Sequence, residues 1–389
     1  MRPLRIGIVA GESSGDLLGA DLIAAVKAQS GRSVELVGVG GPALTREGLT
    51  SVFEFSEISI MGFVAVIKKL PRLLSLIRKT ADAIIAAKPD VLVIVDSPDF
   101  THRVAKRVRK ALPDLPVVDY VCPSVWAWKE YRAAAMRAYV DHVLAVLPFE
   151  PDVMRRLGGP ETSYIGHRLR YLREVLAARA ANEARWEAGE PERKTVLLLP
   201  GSRSHEVKRL LPIFGETARQ LRAAHPGTRF VIATVPHKEA MVRGVIADWE
   251  EKPEVFVGEE SKWVAFSSAD VALAASGTVL LELSLCGIPT ISTYKTDVLI
   301  RLVLNRIKVW SAALPNLIAD RPIITEYFDE FIRPAMLMRS LAQLMRGTED
   351  RKAMLTGFRE VFNRMSAPRL PAEVGAEIVL AQIERVVKI

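Results

Sequence analysis

Only two cysteines, Cys122 and Cys286, occur in 389 residues, and neither sits in a CxxC or Cys/His spacing. A disulfide scaffold and a structural zinc site are therefore not expected, and a reducing compartment is. No stretch approaches the roughly 18 consecutive apolar residues that a spanning helix needs. The apolar run in "MRPLRIGIVAGESSGD" meets an acidic, glycine-containing turn too soon for a signal peptide. A cytoplasmic protein is expected, one able to lie on a membrane. Solenoid-period repeats and low-complexity tracts are also missing. So are the three-glycine dinucleotide fingerprint and the terminal Lys-Ser/Thr of a P-loop, which weakens nicotinamide and ATP readings.

What is there is a chain of 49% apolar and 25% charged residues, the balance of a soluble globular protein long enough for two α/β domains. The formal charge of +8 suits nucleic acid, anionic headgroups or phosphorylated substrates. Charge alone does not choose among them.

Short runs of valine, isoleucine and leucine alternate with helical periods. Strands are expected at 4–9, 34–39, 91–95, 117–121 and 143–147, and again at 195–199, 229–234, 254–257, 271–274 and 289–293. Between the two sets, 172–194 is alanine-rich, charged and free of β-branched runs, so the domain junction is expected just before or within it. The expected architecture is a doubly wound Rossmann-like domain at 1–171, a second at 172–345 facing it across a cleft, and helices at 346–389 packing back on the first.

Ligands of open α/β sheets sit outside the carboxyl ends of the strands. The run "VLVIVDSPDF" (91–100) ends there in two acids. A helix cap is the alternative use for either, and it suits Asp99 better than Asp96. Asp96, on the strand end itself, is the chemical candidate. After the first strand, "AGESSGD" (10–16) lets Gly11 and Gly15 bring backbone close to a ligand and leaves Glu12 at the same strand ends; a plain turn with a helix cap explains it about as well.

The second half carries anion-binding logic. "LLLPGSRSHEVKRLLP" (197–212) takes a strand through Gly201, Ser202 and Arg203 into a helix, and amides, a helix N-terminus and a guanidinium all favour an anion. A surface ion pair is the alternative for Arg203. "AASGTVLLELSLCGIPTIS" (274–292) gives a second turn at Ser276, Gly277 and Thr278, with Glu282 one helical turn on, either toward ribose hydroxyls or an ordinary solvent-facing glutamate.

Together these stretches resemble the lipid-A-disaccharide synthases, inverting glycosyltransferases of GT-B architecture. The matching motifs are "VAGESSGD" (9–16), "VDSPDF" (95–100), "YVCPSVWAWKEYR" (120–132), "LPFE" (147–150), "IGHRL" (165–169), "LLPGSRSHEV" (198–207), "ASGTVLLE" (275–282) and "LPNLIADR" (314–321), in the family's order over nearly the whole chain. The resemblance implies transfer of 2,3-diacylglucosamine from UDP-2,3-diacylglucosamine to 2,3-diacylglucosamine 1-phosphate (lipid X), giving a β-1,6-linked tetraacyl disaccharide 1-phosphate and UDP in lipid A biosynthesis. It implies Asp96 as general base with Glu12 a second acid, and Ser14 and Gly15 on the acceptor side. Arg203, Ser202, Gly201, Ser276, Gly277, Thr278, Glu282 and Asn316 would hold the UDP-sugar. No metal or other cofactor is implied, and no Asp-x-Asp pair occurs. Location at the inner face of the inner membrane of a Gram-negative bacterium follows from the same resemblance; a homodimer is left open.

Residues 58–79 set Met61, Phe63 and Val66 beside Lys68, Lys69 and Arg72, a mixture that suits an anionic membrane surface or, equally, a core helix with a basic outer face. "LIRLVLNRIKVW" (299–310) is a second such segment. Trp126 and Trp128, two apart, cannot share one helix face, so one is expected in the core and the other free for a ligand. Two rivals remain. A sugar-nucleotide 2-epimerase would share the fold and need no acceptor. A non-catalytic lipid or nucleic-acid binder would use the charge but leave the acids and anion turns idle, and the basic residues form no single tract, so nucleic acid is not an expected partner.

Overall fold

The computed structural model describes residues 2–58, 63–296 and 307–387, the side chains of 63–70 and 386–387 excepted. The chain forms two compact units, Met1–Arg168 with Ala367–Ile389, and Leu169–Ser366.

The first unit is built on β1 (Leu4–Ala10), β2 (Val34–Val39), β3 (Val91–Val95), β4 (Val117–Tyr120), β5 (His142–Ala145) and β6 (Glu161–Tyr164), in the order β2-β1-β3-β4-β5-β6. Every pairing is parallel, and β3, β4 and β5 are buried at every position. Runs of valine and isoleucine without polar alternation suit only a sheet covered on both faces. The chain leaves β1 toward β2, then crosses to the other side of β1 to make β3, so the order reverses between them. Ala10 pairs with Val95, and the loops that follow start side by side.

The second unit repeats the plan with β7 (Thr195–Leu199), β8 (Arg229–Thr234), β9 (Glu254–Val257), β10 (Val271–Ala275), β11 (Thr290–Tyr294) and β12 (Thr325–Phe328), in the order β12-β11-β10-β7-β8-β9, again all parallel. Its reversal falls between β7 and β10, where Leu199 pairs with Ala274.

All ten expected strands form, and two more, β6 and β12, lie at sheet edges where the pattern is polar and half exposed. The expected boundaries shift. The chain passes between units at Arg168, before the alanine-rich stretch, whose helix Arg173–Glu187 belongs wholly to the second unit. The C-terminal helices do not move as one block either. Helix Glu349–Arg364 stays in the second unit, where Met354, Phe358 and Val361 are buried and Arg351 donates to the Asp270 carbonyl at 2.7 Å. Only helix Pro371–Val387 joins the first, burying Ala376, Val379 and Ile383 against Leu22, Ile23 and Val26 of helix Ser13–Ser30. Val379 and Ile383 contribute roughly 2 kcal/mol each by that burial.

Candidate active site

At the first reversal the backbone turns sharply. Asp96 and Ser97 both have left-handed φ, 54° and 46°. Each such non-glycine residue costs about 1–3 kcal/mol. The turn is held by Asp96 N donating to the Tyr120 carbonyl (3.0 Å), Thr101 Oγ1 donating to the Asp96 carbonyl (2.7 Å) and Ser97 N donating to Asp96 Oδ1 (2.7 Å). Asp96 is half-buried, and none of the described residues engages its Oδ2.

Gly11 passes directly beside this turn. A Cβ there would lie 2.2 Å from the Ser97 Cβ, so no larger residue fits without moving Ser97, the second residue of that turn. Glu12 follows as the N-cap residue of helix Ser13–Ser30, half-buried, with Ser14 exposed and Gly15 against Val95. The motif's last residue has another task. Asp16 is buried and accepts from the amides of Gly41 (2.7 Å), Ala43 (2.8 Å) and Leu44 (3.1 Å), capping helix Pro42–Arg46 after β2. Sequence reasoning missed this role; the signal was Gly41, a helix start with no capping side chain of its own.

The cap expected of Asp99 is not made. Ser97 is the N-cap residue of helix Pro98–Ala111, and Asp99 lies in the first turn, 83% exposed, with Arg132 Nη2 at 3.7 Å. Behind Asp96, Asp119 of β4 is buried with His102 Nε2 3.1 Å from its Oδ2, while His102 Nδ1 lies 3.1 Å from the Tyr139 hydroxyl. Burial pushes the Asp119 carboxyl up against the pull of His102, and the neighbouring Asp96 adds to the rise.

The two tryptophans divide as expected. Trp126 is half-buried, its Nε1 donating to Glu150 Oε1 at 3.2 Å and its ring edge-on to Phe149, whereas Trp128 is 40% exposed. Glu150, the acid of "LPFE", also accepts from the amides of Val146 (3.1 Å) and Leu147 (2.9 Å). Burial pushes its carboxyl up to about 8 against these donors. Both cysteines are buried, and burial pushes their thiols up, which makes them poor nucleophiles.

At the second unit's reversal, Gly201 has φ 101°, and a Cβ there would meet Glu206 Oε2 at 2.3 Å. Glu206 Oε2 accepts from the amides of Ser202 and Arg203, both 3.1 Å, and Arg203 Nη1 reaches Oε1 at 3.3 Å. The anion expected at this turn is thus matched in the chain by its own carboxylate. Beside it, Arg203, His205, Arg209, Ser276, Tyr294 and Lys295 line one hollow, which brings the two anion turns together at the ends of β7, β10 and β11. Arg209 and Lys295 add cations that the sequence pattern did not single out.

Gly277 follows Ser276 with φ 158°, and Thr278 is the N-cap residue of helix Val279–Leu285. Glu282 is neither solvent-facing nor alone. Lys262 Nζ lies 3.2 and 3.1 Å from its two oxygens, and burial pushes its carboxyl up despite that cation. Asn316 is buried and spent inside its unit: Oδ1 accepts from the amides of Ile323 and Ile324 (both 2.8 Å), and Nδ2 donates to Ser311 Oγ (3.1 Å) and the Ile324 carbonyl (3.0 Å). That accounts for both lone pairs and both hydrogens of the amide. These bonds close the loop before β12.

Among the described residues no three His, Cys, Asp or Glu side chains converge as metal ligands would, and no helix is long and apolar enough to cross a membrane. Of the basic-apolar segment, Met61 lies outside the described residues, as do the side chains of Phe63, Val66, Lys68 and Lys69; the backbone from Phe63 runs in helix Phe63–Ala87, and Arg72 pairs with Glu57 at 2.7 Å. Most of the second segment, 299–306, is likewise outside them.

A family model described as lipid-A-disaccharide synthetase matches residues 6–368. The chain is 46% identical to a lipid-A-disaccharide synthase of Nitrobacter winogradskyi over 97% of its own length and 95% of the relative's. It is 45% identical to that of Rhodopseudomonas palustris over 96% and 95%, and 35% identical to that of Rhodospirillum centenum over 99% and 96%. Among solved structures it is similar to the glycotransferase of kitacinnamycin (TM-score 0.62, 16% identity, 98% of this chain and 100% of that one). It is also similar to the calicheamicin glycosyltransferase CalG4 (0.58, 15%, 99% and 100%) and to a UDP-GlcNAc 2-epimerase of Neisseria meningitidis (0.59, 12%, 98% and 100%). At these identities the structural likeness speaks for the fold alone, two parallel-sheet α/β units of the GT-B class.

Proposed function

The chain belongs to the lipid-A-disaccharide synthase family of glycosyltransferases, and from that premise we propose that it joins two acylated glucosamines in lipid A biosynthesis. The donor is UDP-2,3-diacylglucosamine and the acceptor is 2,3-diacylglucosamine 1-phosphate. The acceptor's 6-hydroxyl oxygen attacks the anomeric carbon from the face opposite UDP, the bond to UDP breaks, and the product is β-1,6-linked.

One observation carries the assignment of roles: each sheet's reversal of strand order is occupied by a motif suited to one half of this chemistry, acids at β1 and β3, cations and amides at β7 and β10. Asp96 takes the proton of the attacking hydroxyl. Its strained turn aims it, and its Oδ2 is engaged by no described residue. Glu12 orients the acceptor from the neighbouring loop, with Ser14 and Gly15 beside it. Charge gathering on the departing pyrophosphate is met by Arg203, with Arg209, Lys295 and the turn at Ser276, Gly277 and Thr278 round the same hollow. The amides of Ser202 and Arg203 become available as Glu206 yields to phosphate, with Gly201 beside them. Glu282, held by Lys262, takes the ribose side. No metal enters, since protein cations supply the charge stabilisation. The protein works at an anionic membrane surface, bound peripherally through the segment around helix Phe63–Ala87.

The test is transfer from UDP-2,3-diacylglucosamine to the monophosphate acceptor in the presence of EDTA. Disaccharide formation supports the reaction and its independence of metal. Activity that disappears in EDTA and returns with a divalent cation overturns the metal-free part. Conversion of UDP-N-acetylglucosamine without any acceptor would favour an epimerase instead.

A further inference from the structure

The loop between β4 and helix Tyr131–Met136 presents a surface that the roles above leave unused. Trp126 pins it inward through Glu150 and Phe149. Two residues later Trp128 is 40% exposed, and Tyr131 is 70% exposed. Lys129 Nζ stands 3.9 Å from the centre of the Trp128 ring, and the Arg132 guanidinium 5.8 Å from it.

The backbone here is also strained. Val121 and Lys129 have left-handed φ of 83° and 55°, beside the similar values at Asp96 and Ser97. Among the described residues, four of the seven non-glycine residues with positive φ thus fall in the two loops leaving β3 and β4. Strain of this kind persists where surrounding structure over-determines it, and it clusters at ligand sites.

Position limits what such a site can hold. Arg132 reaches Asp99 Oδ1 at 3.7 Å, and Asp99 is in the first turn of the helix that starts just after Asp96. Asp99 follows Asp96 by three residues, a span of at most about 11 Å, so Asp99 and the Arg132 beside it lie within reach of a substrate held at Asp96, whose 6-hydroxyl and anomeric substituent sit at opposite ends of one pyranose ring. The acids nearby are Asp99 and Glu130; the Asp99 pair is long and its carboxylate 83% exposed, so exchanging it for a phosphate costs little. A guanidinium binds a phosphomonoester through paired N–H donors, and an ammonium beside it adds a point charge.

We propose that Arg132 and Lys129 bind the 1-phosphate of the acceptor and that Trp128 carries the sugar ring beside it, a subsite that rests on the transfer reaction proposed above. The phosphate is the acceptor's and not that of a membrane headgroup.

The experiment compares the parent with Arg132→Gln, Lys129→Gln and Trp128→Ala, using 2,3-diacylglucosamine 1-phosphate and the same acceptor without its phosphate, both in detergent micelles. With the phosphorylated acceptor, loss of a charge-assisted contact raises acceptor KM about tenfold to a hundredfold for Arg132→Gln, with donor KM unchanged. Without the phosphate the ratio of variant to parent acceptor KM falls toward one for both charge variants, whereas Trp128→Ala remains impaired. An equal penalty on both acceptors for Arg132→Gln and Lys129→Gln overturns the proposal. So does an unchanged acceptor KM combined with lost binding to vesicles containing anionic lipid, which would make the surface a headgroup contact. Lys129→Gln, at a side chain with no ion pair among the described residues, keeps the comparison alive if Arg132→Gln fails to fold. If the parent transfers nothing, the reaction falls but the subsite does not fall with it. Equilibrium binding of the phosphorylated acceptor without donor then decides: tighter in the parent by a similar factor supports the subsite, and equal affinities overturn it.

Discussion

Asp16 accepts the Gly41 amide at 2.7 Å, and the same carboxylate takes the amides of Ala43 and Leu44. One buried side chain thereby locks the first turn of helix Ser13–Ser30 to the helix after β2. Asp16→Ala strands three buried amide donors and should cost about 3 kcal/mol or more in denaturant unfolding. Asp16→Asn keeps one acceptor oxygen and should cost roughly half as much. Equal losses in the two variants would mean that one amide oxygen cannot stand in for the carboxylate, since asparagine fills the same space.

Asp96→Asn preserves the acceptor oxygen that Ser97 N uses, and so the strained turn. It removes the basicity. The expected result is a fall in kcat of about 10² to 10⁴ with donor KM and unfolding midpoint near the parent's. An effect confined to a raised acceptor KM would make Asp96 a binding group and turn attention to Glu12.

Much of the fold is legible because buried parallel strands are continuous apolar runs. β3 reads "VLVIV" and β7 reads "TVLLL", each buried throughout. β6 ("ETSY") and β12 ("TEYF") escape because edge strands are half-solvated and carry polar residues that resemble loop. The fate of the last two helices is invisible for another reason. Helices Glu349–Arg364 and Pro371–Val387 are both amphipathic, and which sheet receives each depends on packing partners far away in the chain. The site divides in the same way. Asp96 and Arg203 stand at strand ends and can be found by position, whereas the bonds that engage Asn316 and the pairing of Lys262 with Glu282 exist only after folding.

Glu150 makes stability depend on pH. Its folded carboxyl is pushed up to about 8, above the ordinary value of 4.5. Between those values the folded state holds a proton that the unfolded chain has released, so this group's contribution is complete below 4.5 and is lost as pH rises through about 8. Asp119, also raised by burial, contributes with the same sign. Glu150→Gln keeps an acceptor for Val146 and Leu147 but presents an amide to Trp126, so it starts less stable at pH 5. Its loss of stability from about pH 5 to 8 should be shallower than the parent's, as measured by urea unfolding across that range. Parallel curves would show that Glu150 does not change charge there.

Lys262 is the counter-charge of a mostly buried acid. Its Nζ contacts both oxygens of Glu282 and one of Glu259, and stands 4.2 Å from the centre of the Trp263 ring. Lys262→Met retains the stem's packing and removes the cation, which leaves Glu282 to bury its charge alone or take a proton. Breaking such a pair from one side costs about 3–5 kcal/mol when the remaining group is ionised. Because burial already holds the Glu282 carboxyl above its ordinary range, removing the cation raises it further. The variant's deficit should therefore be small at low pH, where the acid is protonated in both states, and grow as pH rises through the folded value. Unfolding free energies of parent and variant at pH 5 and pH 8 read this difference directly. A deficit that is the same at both would assign the loss to the ammonium's contact with the Trp263 ring. Donor KM measured at pH 8 adds the functional half: a protonated or displaced Glu282 no longer presents a carboxylate to the ribose, and KM for the UDP-sugar should rise about tenfold, the loss of one charge-assisted hydrogen bond.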